Sequence, residues 1–94
     1  MKDLSWNDIN VADVLEAIRI FDEEEPNCPK ARNTFLIYCN KEYPAKHIRG
    51  MAYKVHFRRE VSKDDYSGGK ETKDFFDRLG FEVRYTPSYR SNAK

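Results

Sequence analysis

Tyr43–Phe81, YPAKHIRGMAYKVHFRREVSKDDYSGGKETKDFFDRLGF, predicts two short helices separated by a charged turn. Pro44 fixes a backbone φ that suits the first turn of a helix, so the first of the two is expected to begin there. Apolar residues then recur at i, i+3, i+4 and i+7, which indicates one buried face on a helical period. That face consists of Ile48, Met51, Ala52 and Val55.

The second helix is expected to start after Ser67, Gly68 and Gly69. A serine hydroxyl can accept a hydrogen bond from a free N–H of the first turn, and glycine tolerates positive φ. Gly80 predicts the end of this helix, because glycine is favoured just beyond a helix C-terminus. A hydroxyl, free N–H groups and the Lys70 ammonium at one helix start suit a phosphate, and a plain serine-capped helix would have the same sequence.

A third helix and the strands are predicted on either side of this stretch. Asn10 is a suitable N-cap for a helix over Val11–Glu23, whose apolar residues follow helical spacing. Thr34–Cys39 has the composition of a central strand, and Cys39 is expected to serve as a small apolar residue at its end. Tyr43 can add a short strand, and Phe81–Tyr85 alternates apolar and charged residues like a strand with one buried face. The expected fold is α+β, with a small antiparallel sheet of two to three strands packed by three helices in the order α-β-(β)-α-α-β.

The 94 residues are expected to form one small head-like domain, with an ordered core over about 9–86 and a flexible tail over 87–94. Apolar runs are too short to span a bilayer, so a cytoplasmic protein without a membrane partner is expected. The residues predicted to share the core are Phe35, Leu36, Ile37, Ile48, Met51, Val55, Phe75, Phe76 or Leu79, Phe81 and Val83, with Val14, Leu15 and Ile18.

Charge is distributed unevenly along the chain. Residues 1–25 contain two basic and eight acidic side chains, whereas residues 40–63 contain seven basic and two acidic ones. A basic surface of this kind is a candidate for binding a polyanion, and the alternative is that the two halves pair with each other or are solvated separately. The nucleic-acid-binding residues predicted on the two helices are Lys46, Arg49, Tyr53, Lys54, Arg58, Ser67, Gly68, Gly69 and Lys70. Lys46, Arg49 and Tyr53 are expected on the side of their helix that faces away from the core.

Neither a catalytic nor a metal site is predicted, and no cofactor is expected. Cys28 and Cys39 lack the spacing of a zinc site or a redox motif, and His47 and His56 are expected on opposite sides of one helix. The order of Asp65, Glu71 and Lys73 matches that of some nucleases, but Glu71 and Lys73 diverge by about 200° on a helix. The match is therefore interpreted as accidental.

Four segments carry a resemblance to a known family: Phe35–Tyr38, Tyr43–Ala52, Tyr66–Thr72 and Leu79–Val83. They are similar to the N-terminal head domain of McrA-type, modification-dependent HNH restriction endonucleases, in which a strand precedes a Tyr-Pro-Pro-Lys turn, a Phe-Ser-Gly-Gly helix start and a Leu-Gly-Phe exit. Ala45 stands where the family has a second proline, and Tyr66 where it has phenylalanine. The resemblance covers about Thr34–Val83, and Val14–Phe21 looks like the opening helix of the family.

The resemblance implies a head module without the HNH nuclease, modified-base pocket or sulfur-binding domain of the larger enzymes. Together with the charge distribution, it predicts a non-enzymatic accessory domain that binds nucleic acid, DNA rather than RNA, in a restriction or phage-defence system. A nuclease or another defence subunit is a possible partner. The alternative is a protein-interaction module that uses the acidic first helix or the aromatic residues Tyr85 and Tyr89.

Overall fold

A computed structural model describes residues 6–24, 33–62 and 65–86 of the chain. Its helices are α1 (Val11–Glu24), α2 (Ala45–Phe57) and α3 (Lys70–Arg78), with a short 3-10 turn at Trp6–Asp8 before α1. Its strands are β1 (Thr34–Tyr38), β2 (Lys41–Pro44) and β3 (Glu82–Tyr85). The predicted α+β fold and order of elements are confirmed. Two predictions concern residues outside the described ranges. One is the flexible tail over 87–94, which contains Tyr89, and the other concerns Cys28.

Helix α1 begins with a reciprocal pair of hydrogen bonds. The backbone N–H of Asp13 donates to Asn10 Oδ1, and the backbone N–H of Asn10 donates to Asp13 Oδ2, each over 3.1 Å. Two N–H groups at the start of the helix are satisfied in this way, which is the arrangement of a capping box. The predicted N-cap at Asn10 is therefore correct.

The sheet is antiparallel, with β1 in the centre of the order β2-β1-β3. Tyr38 pairs with Lys41, so β1 and β2 are joined by only Cys39 and Asn40, which have φ values of 52° and 65°. Positive φ at both loop residues is typical of the type I′ turn, whose twist matches that of the strands. Cys39 is exposed in this turn, so the prediction that it fills an apolar site at a strand end is wrong.

The two faces of the sheet differ in what covers them. Leu36 pairs with Tyr43 on one side and with Val83 on the other, and Leu36 lies in the core beneath the helices. Phe35 and Ile37 point to the opposite face because successive strand residues alternate, and both are only half-buried. Their predicted place in the same core as Leu36 is wrong.

The core also differs from the prediction on the helices. Leu15, predicted to be buried, is 37% exposed. Met51 and Val55 are half-buried, because α2 turns a neighbouring face toward the core. The buried residues of α2 are Ala45, Ile48, Arg49, Ala52 and Tyr53. Pro44 is the last residue of β2 and the N-cap of α2 rather than its first helical residue.

Helices α1 and α2 pack side by side in opposite directions. Asp13 near the start of α1 contacts His56 near the end of α2, with 2.8 Å between Oδ2 and Nδ1. At the other end, the rings of Phe21 and His47 lie 5.8 Å apart. No helix in the described ranges is both long enough and apolar enough to cross a membrane.

Helix α3 ends in a Schellman motif. The N–H of Phe81 donates to the carbonyl of Phe76 and the N–H of Gly80 to that of Asp77, each over 3.0 Å. Gly80 has φ +88°, as this motif requires beyond the C-cap residue Leu79. The predicted end of the helix is confirmed, and the chain turns directly into β3.

Candidate nucleic-acid interface

Arg49 lies inside the protein rather than on the predicted phosphate surface. The residue is only 2% exposed, and its guanidinium carbon lies 4.0 Å from the ring centroid of Trp6. Tyr66 and Phe75 flank it at 5.1 and 5.2 Å. A guanidinium over aromatic faces is stabilised by their negative potential. The prediction that Arg49 faces away from the core is wrong.

The polar atoms of Arg49 tie α2 to the start of α3. One terminal nitrogen donates to the Ser67 carbonyl and to Thr72 Oγ1, both over 3.1 Å, and the other lies 2.9 Å from a Glu71 oxygen. Burial lowers the pKa of Arg49, and the Glu71 carboxylate opposes that shift. The pKa of Glu71 is lowered by the hydrogen bond from the Ser67 hydroxyl and by Arg49. Arg49 therefore positions the loop before α3.

Tyr53 is also buried, with 2% of its surface exposed. Its ring packs 5.0 Å from Trp6 and 4.6 Å from Phe57. Base stacking requires an aromatic face open to solvent, which Tyr53 does not offer. Its predicted location on the outer side of α2 is wrong.

The loop before α3 differs from the anion cradle that the sequence suggested. The Ser67 hydroxyl donates to Glu71 over 2.7 Å, and the Gly69 N–H donates to Thr34 Oγ1 over 3.1 Å. Gly69 is the N-cap residue, and no side chain in the described part of the chain caps α3. The prediction that Ser67 is the cap is wrong. Gly69 does have the predicted positive φ, at +63°, and the Tyr85 ring covers it.

Lys46 and Lys70 lie at neighbouring helix starts. Lys46 belongs to the first turn of α2, and a β-carbon built on Gly68 would lie 3.7 Å from its side chain. The Tyr66 hydroxyl donates to the Lys46 carbonyl over 3.2 Å, which holds the two segments together. Lys70 is the first residue of α3 and pairs with Asp74 over 2.9 Å, with 74% of its side chain exposed. We call Lys46, Ser67, Gly68 and Lys70 the phosphate patch.

The remaining predicted residues, Lys54 and Arg58, lie at the other end of α2. Both are exposed, and Lys54 pairs with Glu60 over 3.4 Å. Arg58 caps the helix with φ +61°, its N–H donating to the Lys54 carbonyl. They line an open trough beside α2 that also contains carboxylates, including Glu16. Apart from the buried Arg49 and Tyr53, the structure therefore divides the predicted site into two separate groups.

The other side chains considered for chemistry have separate roles. Glu71 binds Ser67 and Arg49, whereas Lys73 lies 2.5 Å from Asp77. These two residues do not point to a shared position. Within the described residues, no group of three or more metal-binding side chains comes together.

The family model of the ScoMcrA-like N-terminal head domain matches residues 7–85. The chain belongs to this family. The match spans every helix and strand described above, and it confirms the resemblance to McrA-type head domains. It places the chain among head domains of restriction-type proteins. Neither the curated proteins nor the solved structures contained a significant match.

The main feature of the head domain that the sequence prediction missed is the aromatic cluster around Arg49. A signal was present, because Ala45, Ile48, Arg49 and Ala52 also recur at i, i+3, i+4 and i+7. An arginine inside such a pattern is a candidate for a buried cation when a carboxylate can reach it. Its partners Trp6 and Glu71 come from distant parts of the sequence, so spacing alone does not reveal them.

Proposed function

We propose that this head domain is a non-enzymatic accessory domain that binds nucleic acid, with DNA as the expected ligand, in a restriction or phage-defence system. The observation that carries the proposal is the packing of Lys46 against Gly68. This packing brings the first turns of α2 and α3 close to each other, and with them Lys46 and Lys70. Helix starts carry partial positive charge, so both helix dipoles and both ammonium groups favour a phosphate there.

Two carboxylates lie near the phosphate patch, Glu71, which accepts the Ser67 hydroxyl, and Asp74, and each is already paired with a cation. Glu71 already faces the Arg49 guanidinium at 2.9 Å. Asp74 pairs with Lys70, but both side chains are more than half exposed, and such surface pairs contribute little. A phosphate can therefore compete for Lys70 at small cost. Helix α2 itself contains no carboxylate between Ala45 and Phe57.

Charge neutralisation in the patch is the direct test. Lys46→Gln and Lys70→Gln should each weaken the binding of a fluorescent DNA duplex, for every duplex sequence tested. Each should also reduce the slope of log K against log salt by about one. Arg19→Gln is the matched control, because it removes one exposed positive charge from α1 at a distance in sequence from the patch. Anisotropy titrations at about 50 and 200 mM salt measure both quantities.

Gly68 provides a second test that does not change charge. A side chain at Gly68 meets Lys46 at an ordinary 3.7 Å, and Gly68 is not among the positive-φ glycines of the described chain. Gly68→Val should therefore fold and weaken duplex binding by blocking close approach of a phosphate. Gly69→Val is unsuitable for this test, because the φ of +63° and the nearby Tyr85 ring would destabilise the variant even without DNA. Arg49→Glu is unsuitable because it would bury a carboxylate.

The nucleic-acid proposal is refuted if the parent protein shows no salt-dependent affinity at micromolar concentration. It is also refuted if Arg19→Gln weakens binding as much as the two lysine variants do. The same titration with an RNA duplex reports whether DNA is preferred.

A protein-interaction module is the second candidate. Val11 and Leu15, one turn apart on α1, are 42% and 37% exposed, and acidic residues surround them in sequence. An exposed apolar pair can contribute to a protein interface. Salt distinguishes the two functions, because an apolar interface lacks the steep salt dependence of phosphate binding.

A further inference from the structure

The open trough beside α2 is lined by apolar side chains that the core leaves half-covered. Ile20 of α1, Met51 and Val55 of α2, and Val61 after α2 all contact it and are half-buried. Its volume is about 720 Å³. Gly50 contributes bare backbone to the same surface. Apolar residues gathered along one groove and rimmed by charged ones mark an interaction site more often than scattered exposed residues do.

The charges around the trough argue against a polyanion as its occupant. Glu16 and Glu24 line it from α1, and Glu60 lines it from the segment after α2. Two of the lining residues, Lys54 and Arg58, carry positive charge, and Lys54 already pairs with Glu60. Glu16 in turn pairs with Arg19, which also pairs with Glu23, so together with Glu24 this side of α1 holds three carboxylates and one cation. A phosphate backbone in the trough would be repelled by this net negative charge along α1.

The geometry suits a helix. The trough runs along two antiparallel helices, from residue 16 to 24 on α1 and from 47 to 58 on α2. At 1.5 Å per residue these spans are about 12 and 16 Å, which corresponds to two to three turns of an added helix. Helices pack with their axes about 8–10 Å apart, their side chains filling the space between neighbours.

We propose that the trough binds an amphipathic helix of a partner protein, whose apolar stripe is flanked by basic residues. The apolar stripe would cover Ile20, Met51 and Val55. The basic flank would face Glu24 and Glu16, which lie two turns apart on one side of α1. Glu16 pairs with Arg19, but both side chains are exposed, so the pair can exchange partners at small cost. Exposed ion pairs of this kind orient a partner more than they stabilise it, so the apolar contacts supply most of the affinity.

Synthetic helical peptides of about 18 residues test this proposal, a length at which an isolated helix can form. The first peptide has a leucine stripe flanked by lysine, the second has the same stripe flanked by glutamate, and the third has the lysine flanks with serine in the stripe. Fluorescence anisotropy measures their affinity for the whole 94-residue chain. We expect the first peptide to bind at least about tenfold more tightly than the other two.

Three variants locate the binding surface. Ile20→Glu should weaken the first peptide at least about tenfold. Glu24→Lys, at an exposed position, should reduce or reverse the higher affinity of the lysine-flanked peptide over the glutamate-flanked one. Leu15→Glu is the control, because Leu15 is an exposed apolar residue of the same helix outside the trough. It should leave peptide affinity unchanged, and circular dichroism melts check that all three variants fold.

The proposal is overturned if the first peptide shows no preference over the second and third up to about 1 mM. It is also overturned if Leu15→Glu weakens binding as much as Ile20→Glu. Self-association of the protein that Ile20→Glu abolishes would assign the trough to a second copy instead. Loss of duplex binding in Lys54→Gln, without any peptide binding, would assign it to nucleic acid. The Lys46→Gln titration tests the phosphate patch separately, so either proposal can fail alone.

Discussion

Replacing Glu71 with glutamine tests whether the buried Arg49 cation depends on its carboxylate partner. The side chain of Arg49 is 3% exposed and that of Glu71 is 50% exposed, so Glu71→Gln leaves a buried guanidinium facing a neutral group. A hydrogen bond to a charged group contributes about 1.5–3 kcal/mol, and solvent around Glu71 reduces this value. We expect the free energy of unfolding to fall by about 1–2 kcal/mol, which lowers the melting temperature by roughly 5–15 °C.

The double variant sharpens the test. Arg49→Met removes the charge but keeps an apolar side chain between Trp6 and Phe75, and such replacements of buried ion pairs are often neutral or stabilising. Arg49→Met/Glu71→Gln should therefore be at least as stable as Glu71→Gln alone. Asp74→Asn is the control, because it breaks an exposed pair on the same helix and should change stability by less than about 0.5 kcal/mol. Urea and thermal unfolding of the parent and these three variants measure the differences. Equal stability of Glu71→Gln and Asp74→Asn would refute the reasoning.

Three further predictions concern single positions. Gly50→Ala should cost about 1–3 kcal/mol, since its β-carbon would lie closer than 3.0 Å to the Tyr66 hydroxyl, and adding Tyr66→Phe should recover part of that loss in thermal melts. Gly80→Ala should cost about 1 kcal/mol through its φ of +88° alone, because the added methyl meets no heavy atom of the described chain within 4 Å; an unchanged urea midpoint would contradict this. The lowered pKa of Glu71 means that its stabilisation is present above the ordinary value of 4.5 and is lost as pH falls through the folded-state pKa. Melting temperatures of Glu71→Gln should therefore fall less steeply than those of the parent below about pH 4.5, and parallel curves would count against the assigned contacts.

The sequence predicted the helices, the strands, the start of α1 and the end of α3 well because these depend on neighbouring residues. Asn10 and Asp13 are three residues apart, and Gly80 follows its helix directly, so each signal is contained within one turn. The last strand was also predicted correctly, since Phe81–Tyr85 alternates apolar and charged residues and β3 spans Glu82–Tyr85. Local patterns of this kind do not depend on where the rest of the chain lies.

Contacts between distant segments explain what the sequence could not predict. Arg49 has a basic side chain on a basic helix, and only the packing of Trp6 and Phe75 around it makes it part of the core. The Ser67 hydroxyl had two possible partners, an N–H of the helix start and the Glu71 carboxylate, and it binds the carboxylate. The apolar run in β1 predicted a central strand but not that Phe35 and Ile37 would face away from the helices.

The two-residue turn between β1 and β2 has a consequence for how the domain folds. The β1–β2 hairpin closes a very short loop, whereas β3 pairs with the same central strand only after all of α2 and α3 have been placed between them. Closing a short loop costs less conformational entropy than closing a long one, and contacts between distant residues form more slowly. The hairpin can therefore form early, and β3 joins late. Changes at Cys39 or Asn40 should then mainly slow refolding, while changes in Glu82–Tyr85 should mainly speed unfolding.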